Sequence, residues 1–260
     1  MNKDNNDNDK IVTLSKIKVA CQNCSLHQLC LPLGLHGDDL DRLEAIIKRS
    51  HPLKKNEIAF HQGDTFQAIY AIRAGSVKTY SVADDGSEQI TGFYLPGELV
   101  GLDAISEDNH PCSAKALETT SYCEIPFSRL ETLSSELPSL QHQLLKIMSK
   151  EITHDANLLM LLGKKTADER LASLLLSLSS RLSSRGFSAT EFNLSMSRND
   201  IASYLGLAVE TVSRLFTRFQ EQGLIKVDGK FVRLLALEDI KSMVADCSNH
   251  KHSNNNPKMA

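Results

Sequence analysis

Between about Leu53 and Ile125 the chain alternates short apolar runs with turn residues. Gly63, Gly75, Gly86 and Gly97 recur every eleven or twelve positions, in Gln62-Gly63-Asp64, Ala74-Gly75-Ser76, Asp85-Gly86-Ser87 and Pro96-Gly97-Glu98. Short strands at even spacing predict a β-barrel or jelly roll. Asp85-Gly86, between strand-like Val77–Val82 and Gln89–Tyr94, predicts a hairpin. Pro138 then opens a long helix that runs to about Lys165. Leu145, Met148, Ile152, Leu159 and Leu162 follow the alternating three- and four-residue spacing of a coiled-coil seam, and Asp155 fills the one seam position between Ile152 and Leu159. Leu144, Ile147, Leu158 and Leu161 form a second stripe suited to packing on the chain's own barrel. A helix with one stripe left over predicts a homodimer. Thr166, followed by Asp168 and Glu169, marks a new helix start, and Ser183–Gly186 closes that helix.

The segment Arg198–Phe219 matches a helix-turn-helix position by position. Ile201, Leu205, Leu207, Val212 and Leu215 hold two helices together, Ala202 is small where they cross, and Gly206 supplies the positive φ of the turn. The second helix would enter the major groove of double-stranded DNA by its N-terminal end. The pattern leaves Val209, Glu210, Ser213 and Arg214 exposed there. Arg214 suits guanine O6 and N7, Glu210 suits cytosine N4, and Ser213 serves several bases; Arg218, one turn on, suits a phosphate. Lys226–Arg233, with Asp228-Gly229 at its tip, reads as the wing of a winged helix. Arg198, Arg214, Arg218, Lys226, Lys230 and Arg233 would form a local basic surface.

That surface has to be local, because the formal net charge of the 260 residues is −3. No apolar run is long enough to cross a bilayer, and the polar N-terminus lacks the apolar stretch of a secretory signal. The expectation is a cytoplasmic protein with no membrane partner. In a reducing compartment six cysteines point to metal or redox chemistry before disulfides. Three of them fall in Cys21-x2-Cys24-x5-Cys30, and Cys123 follows about a hundred residues later. Clustered thiolates suit a soft-metal site, and the spacing alone allows structural zinc or an iron–sulfur cluster. Cys112 and Cys247 stand outside the spacing. Of the histidines only His27, inside the cysteine loop, attracts attention. Gly163–Thr166 echoes a phosphate loop without its upstream glycine, since Leu158 stands there. No nucleophile–base signature is visible, so the chain does not read as an enzyme.

A glycine-punctuated β-roll, a dimer helix and a C-terminal winged helix resemble the CRP/FNR superfamily of bacterial transcription regulators. Cys21–Cys30, Cys123-Glu-Ile-Pro-Phe127 and Val209-Glu-Thr-Val-Ser-Arg214 are similar to its FNR/ANR branch of oxygen-responsive regulators of anaerobic metabolism, and the likeness spans about residues 20–240. It implies an α+β chain; the Asn-, Asp-, Ser- and His-rich tails at 1–19 and 248–260 should be disordered by their composition. Between them it implies a cluster loop and β-roll at 20–137, a dimerisation helix at 138–165 and a winged helix-turn-helix at 166–247. It also implies that Cys21, Cys24, Cys30 and Cys123 hold an oxygen-labile [4Fe-4S] cluster. The holo-dimer would bind a TTGAT-N4-ATCAA palindrome and work with RNA polymerase to activate or repress genes. Relatives that bind cyclic AMP place a Glu and an Arg in the pocket after Pro-Gly-Glu. Here Leu102 and Cys112 stand there, and a buried cyclic phosphate without a cation would be poorly compensated, so no cyclic nucleotide is expected.

Overall fold

The computed structural model describes residues 21–26, 28–83 and 85–245. The expected tails, Cys247 and His27 lie outside the described residues. Helix α1 (Asp38–Ile46) precedes seven strands: β1 (Ile58–Phe60), β2 (Ala68–Ala74), β3 (Val77–Val82), β4 (Glu88–Tyr94), β5 (Leu99–Val100), β6 (Ser113–Ala116) and β7 (Ser121–Pro126). They form two antiparallel sheets, ordered β1-β6-β3-β4 and β5-β2-β7, which make the expected roll. The β3–β4 hairpin pairs Val82 with Glu88 and Val77 with Tyr94. Gly75 turns the chain between β2 and β3 at φ +82°, where a Cβ would fall 2.5 Å from the Thr119 carbonyl oxygen.

Helices α2 (Phe127–Glu136) and α3 (Pro138–Lys164) follow. Leu144 and Ile147 of α3 pack on the core of the roll, as the second stripe predicts, whereas Leu158 and Leu161, near the end of the long helix, have passed the roll and pack on the cluster built mainly by the C-terminal helices. The seam faces away: Leu145, Ile152 and Leu159 are 58%, 69% and 72% exposed, and Met160, which the heptad spacing does not pick out, is 61% exposed. Met148 and Leu162 are half-buried and Asp155 is exposed.

Helix α4 (Ala167–Ser183) starts with a capping box of Thr166 and Glu169, which satisfies orphan N–H groups of the first turn. Then come β8 (Glu191–Asn193), α5 (Arg198–Leu205), α6 (Val209–Glu221), β9 (Ile225–Asp228), β10 (Phe231–Leu234) and α7 (Leu237–Ala245). The β8-β10-β9 sheet carries the wing, with Gly229 at its tip (φ +58°). The sequence gives no sign of how closely the two halves join. Tyr80, Ile90, Phe93, Leu95 and Leu117 of the roll share one buried cluster with α4–α6, and Phe93 meets Tyr204 of α5 at a tilt, with ring centroids 5.0 Å apart.

Candidate functional site

The four spaced cysteines meet. Cys21, Cys24 and Cys30 come from the N-terminal loop and Cys123 from the middle of β7. All four line one apolar cavity with Leu26, Leu31, Leu43, Ile47, Ala71 and Ile125. The loop is held down by buried Leu26, Leu31 and Leu35. Burial, then the Glu44 carboxylate and the neighbouring thiol of Cys123, push the Cys21 thiol up to about 11. Burial pushes Cys30 to about 12, with Cys123, Cys21 and Cys24 adding to the rise. Burial also raises Cys123, against the pull of Arg73 and Arg49. Thiols held in each other's field in an apolar pocket gain from a cation that takes them as thiolates.

Arg49 is a feature that no motif discloses. Its guanidinium bonds Glu44 at 2.7 Å, Glu44 accepts the Cys21 N–H at 2.7 Å, and the arginine's Nε is buried without a partner. A cationic donor beside Cys21 and Cys123 suits sulfur ligands that carry negative charge. The donor set therefore fits an iron–sulfur group. Among the described residues no group of three or more His, Cys, Asp or Glu side chains is arranged to hold a metal ion; the four thiols share a cavity without closing on one point. Cys112 sits elsewhere, in a separate cluster with Phe60, Ile72 and Val77, and its thiol donates to the Asp103 carboxylate at 3.2 Å.

The second site is the outer face of the helix-turn-helix. Ser197 and Asp200 form a capping box at the start of α5, and Gly206 ends the helix at φ 61°. Ile201, Ala202, Leu205, Val212 and Leu215 are buried between the helices, and Leu207 is half-buried. On α6 Glu210, Ser213, Arg214 and Arg218 are exposed and Val209 is half-buried. Ser213 Oγ donates to the Val209 carbonyl at 3.0 Å. Three of the six basic residues are less free than the sequence implies. Arg198 lies over the Phe216 ring, 3.3 Å from its centroid, and Arg218 pairs with Asp168 at 2.5 Å. Arg233 pairs with Glu191 across the wing sheet.

In the roll, the Pro-Gly-Glu turn serves the chain itself. Glu98 accepts from Arg181 at 2.9 and 2.5 Å and from Arg185 at 2.6 Å, which ties α4 to the roll. Burial opposes ionisation of Glu98, but the Arg181 guanidinium and then Arg185 hold its carboxyl below the usual range.

A β-roll joined by a long helix to a winged helix-turn-helix with an exposed reading face defines a DNA-binding regulator. Residues 194–225 match the model of the bacterial regulatory proteins of the crp family, and residues 50–136 match the cyclic nucleotide-binding domain. The chain is 58% identical over 215 residues to the transcriptional activator protein Anr of Pseudomonas protegens, covering 83% of this chain and 88% of that one. It is 49% identical over 216 residues to the fumarate and nitrate reduction regulatory protein of Salmonella typhimurium, covering 83% and 86%. The structure of FixK2 from Bradyrhizobium japonicum superposes with a TM-score of 0.71 at 31% identity, over 77% of this chain and 98% of that one. The chain belongs to the CRP/FNR family of transcription regulators, in its FNR/ANR branch. Among the described residues no helix is long and apolar enough to cross a membrane.

Proposed function

We propose that this FNR-type transcription regulator senses oxygen through a [4Fe-4S] cluster held by Cys21, Cys24, Cys30 and Cys123. The observation that carries the reading is the convergence of three loop thiols and one strand thiol on a single apolar cavity. The cluster supplies a centre that dioxygen breaks down. Cys123 is fixed in β7, paired with Ala71, so it anchors the site while the other three ligands fix the loop. The loop in turn meets the dimer helix: Gln28 and Leu29 line the same cleft as Gln143, Ile147 and Glu151. A loop set by its ligands thus favours the packing of α3 in which Leu145, Met148, Ile152, Asp155, Leu159 and Leu162 meet their copies in a homodimer.

The dimer presents two α6 helices about one DNA turn apart. Glu210, Ser213 and Arg214 read each half of a TTGAT-N4-ATCAA palindrome, with Val209 at its outer base pair and Arg218 on phosphate, and RNA polymerase is recruited to genes of anaerobic metabolism. No cyclic nucleotide takes part, because Leu102 and Cys112 replace the charged residues that would hold one. The protein acts in the cytoplasm.

Anaerobic purification followed by absorption spectroscopy and iron and sulfide assay tests the reading. A brown protein that bleaches in air, with iron and sulfide lost in Cys21→Ala, Cys24→Ala, Cys30→Ala and Cys123→Ala and kept in Cys112→Ala, is expected. A colourless zinc protein indifferent to air, or full cluster retention in Cys123→Ala, refutes it.

A further inference from the structure

Strand β4 ends its sheet, with β3 on one side. Its other side would present open N–H and C=O groups, and helix α5 covers it. Ser203 Oγ accepts the Ile90 N–H at 2.9 Å and donates to the Glu88 carbonyl at 3.0 Å. One hydroxyl thus answers a donor and an acceptor of the strand, as a neighbouring strand would. Gln89 Nε2 donates to the Ser203 carbonyl at 2.6 Å. At the start of α5, Lys78 Nζ donates to Asp200 at 2.7 Å, on the carboxylate that already accepts the Ser197 N–H and hydroxyl at 2.8 and 2.7 Å. Lys78 is only 9% exposed. The cap of the DNA-reading unit is therefore also its bolt to the roll.

Helix α6 moves with α5, because the two share a buried seam and Arg198 of α5 stacks on Phe216 of α6. The dock leaves Glu210, Ser213 and Arg214 exposed. It fixes where the reading face points without covering it. In a two-fold dimer that direction matters, since one base pair of spacer displaces the second half-site by about 3.4 Å and turns it by about 35°. A reading head hung only from the α3–α4 junction could follow such a change; one bolted to the edge of β4 cannot.

We propose that Lys78, Gln89 and Ser203 are positioning residues that set the half-site spacing the dimer accepts. The inference rests on the proposed dimeric, palindrome-reading state, and the test separates the two. Anaerobically purified protein is used to select from a DNA library with two randomised five-base-pair half-sites and spacers of two to six base pairs. The half-site sequences recovered report on the operator, and the width of the spacer distribution reports on the dock. The parent is expected to recover one spacer at least about tenfold over its neighbours, a discrimination of the size one wrong base pair carries. Lys78→Met/Ser203→Ala is expected to recover the same half-sites with neighbouring spacers within about threefold, and Lys78→Arg to keep the narrow distribution. Thermal unfolding of each protein confirms folding, and Gln89→Ala serves if the double variant does not fold. A parent indifferent to spacing, or a folded dock variant with the parent's narrow distribution, overturns the proposal. Recovery of half-sites other than TTGAT overturns the operator and leaves the spacing comparison intact.

Discussion

Arg170 is a second anchor of the same unit, and its removal gives a quantitative test. From the first turn of α4, its guanidinium donates to the Leu162 carbonyl at 2.7 Å and the Lys165 carbonyl at 3.0 Å, at the C-terminus of α3. It also donates to the Leu205 carbonyl at 2.9 Å, at the C-terminus of α5. Helix C-termini leave carbonyls without intrahelical partners and carry partial negative charge, so one cation joins two of them. A hydrogen bond from a charged donor contributes about 1.5–3 kcal/mol. The three share one side chain and are not additive, and water reaches part of the α3 terminus, where Gly163 and Lys164 are exposed. Arg170→Met, which keeps the stem, should therefore cost about 2–4 kcal/mol. Urea unfolding measures that loss, and fluorescence anisotropy on the palindrome should show binding weakened by about tenfold or more as α5 and α6 come loose from the dimer helix. Arg170→Lys, a point charge without the planar fork, should recover at most half of the stability. A Met variant within about 0.5 kcal/mol of the parent, or one that loses stability yet binds DNA unchanged, refutes the bridge.

Arg214→Ala should weaken binding by about 1–3 kcal/mol and relax preference at one base pair; a binding profile over operator variants that matches the parent's would remove Arg214 from the readout. Val209→Arg should shift preference toward the operator of the cyclic-AMP-responsive relatives, measured by competition between the two DNAs. Asp155 lies exposed on the seam between Ile152 and Leu159, where its copy in a parallel dimer would face it, a repulsion of roughly 1–4 kcal/mol; Asp155→Ala should dimerise and bind DNA in air, and a monomer in aerobic sedimentation would show that this charge is not the switch. Burial, then Glu98 and Asp155, raise Glu151 to about 7, above its unfolded value, so its contribution to stability is full below the unfolded value and is lost as pH rises through about 7. Between pH 5 and 7 the urea midpoint of the parent should fall more steeply than that of Glu151→Gln, and equal slopes would exclude Glu151 as the titrating group.

What the sequence discloses is what local chemistry controls. Turn glycines, the Asp85-Gly86 hairpin, the Thr166 cap and the Gly206 turn each depend on a few neighbouring residues, and each stands where the spacing puts it. The heptad stripe of α3 is legible for the same reason. The cysteine spacing picks out the four thiols that share one cavity, yet Arg49 and Glu44 beside it are not legible, because a single Arg in a polar stretch looks the same whether it faces water or sulfur. Met160 escapes the heptad spacing although it is exposed beside Leu159. The basic surface is read too generously: sequence counts charges and cannot see that Arg198 lies on a ring and that Arg218 answers Asp168.

The largest omission is the join between the halves, and it bears on how a signal at the cysteines could travel. Its parts, Glu98 with Arg181 and Arg185, Lys78 with Asp200, and Ser203 with the backbone of β4, are 83, 87, 122 and 113 residues apart in the chain, with no local signature. Together they make the roll, α3, α4 and α5 one packed unit, in which α5 is held by Lys78 of β3 at its N-terminal end and by β4 and Arg170 at its C-terminal end. Under the proposed function, a change at the loop reaches the recognition helix as a change in how α3 meets its partner copy, while each reading head keeps its pose on its own roll. The alternative, in which each head swings on a free hinge, would require breaking a part-buried lysine–aspartate pair and a carboxylate shared by two arginines. It would also expose the apolar cluster that Tyr80, Ile90, Phe93, Leu95 and Leu117 share with α4–α6, so moving whole protomers is the cheaper route.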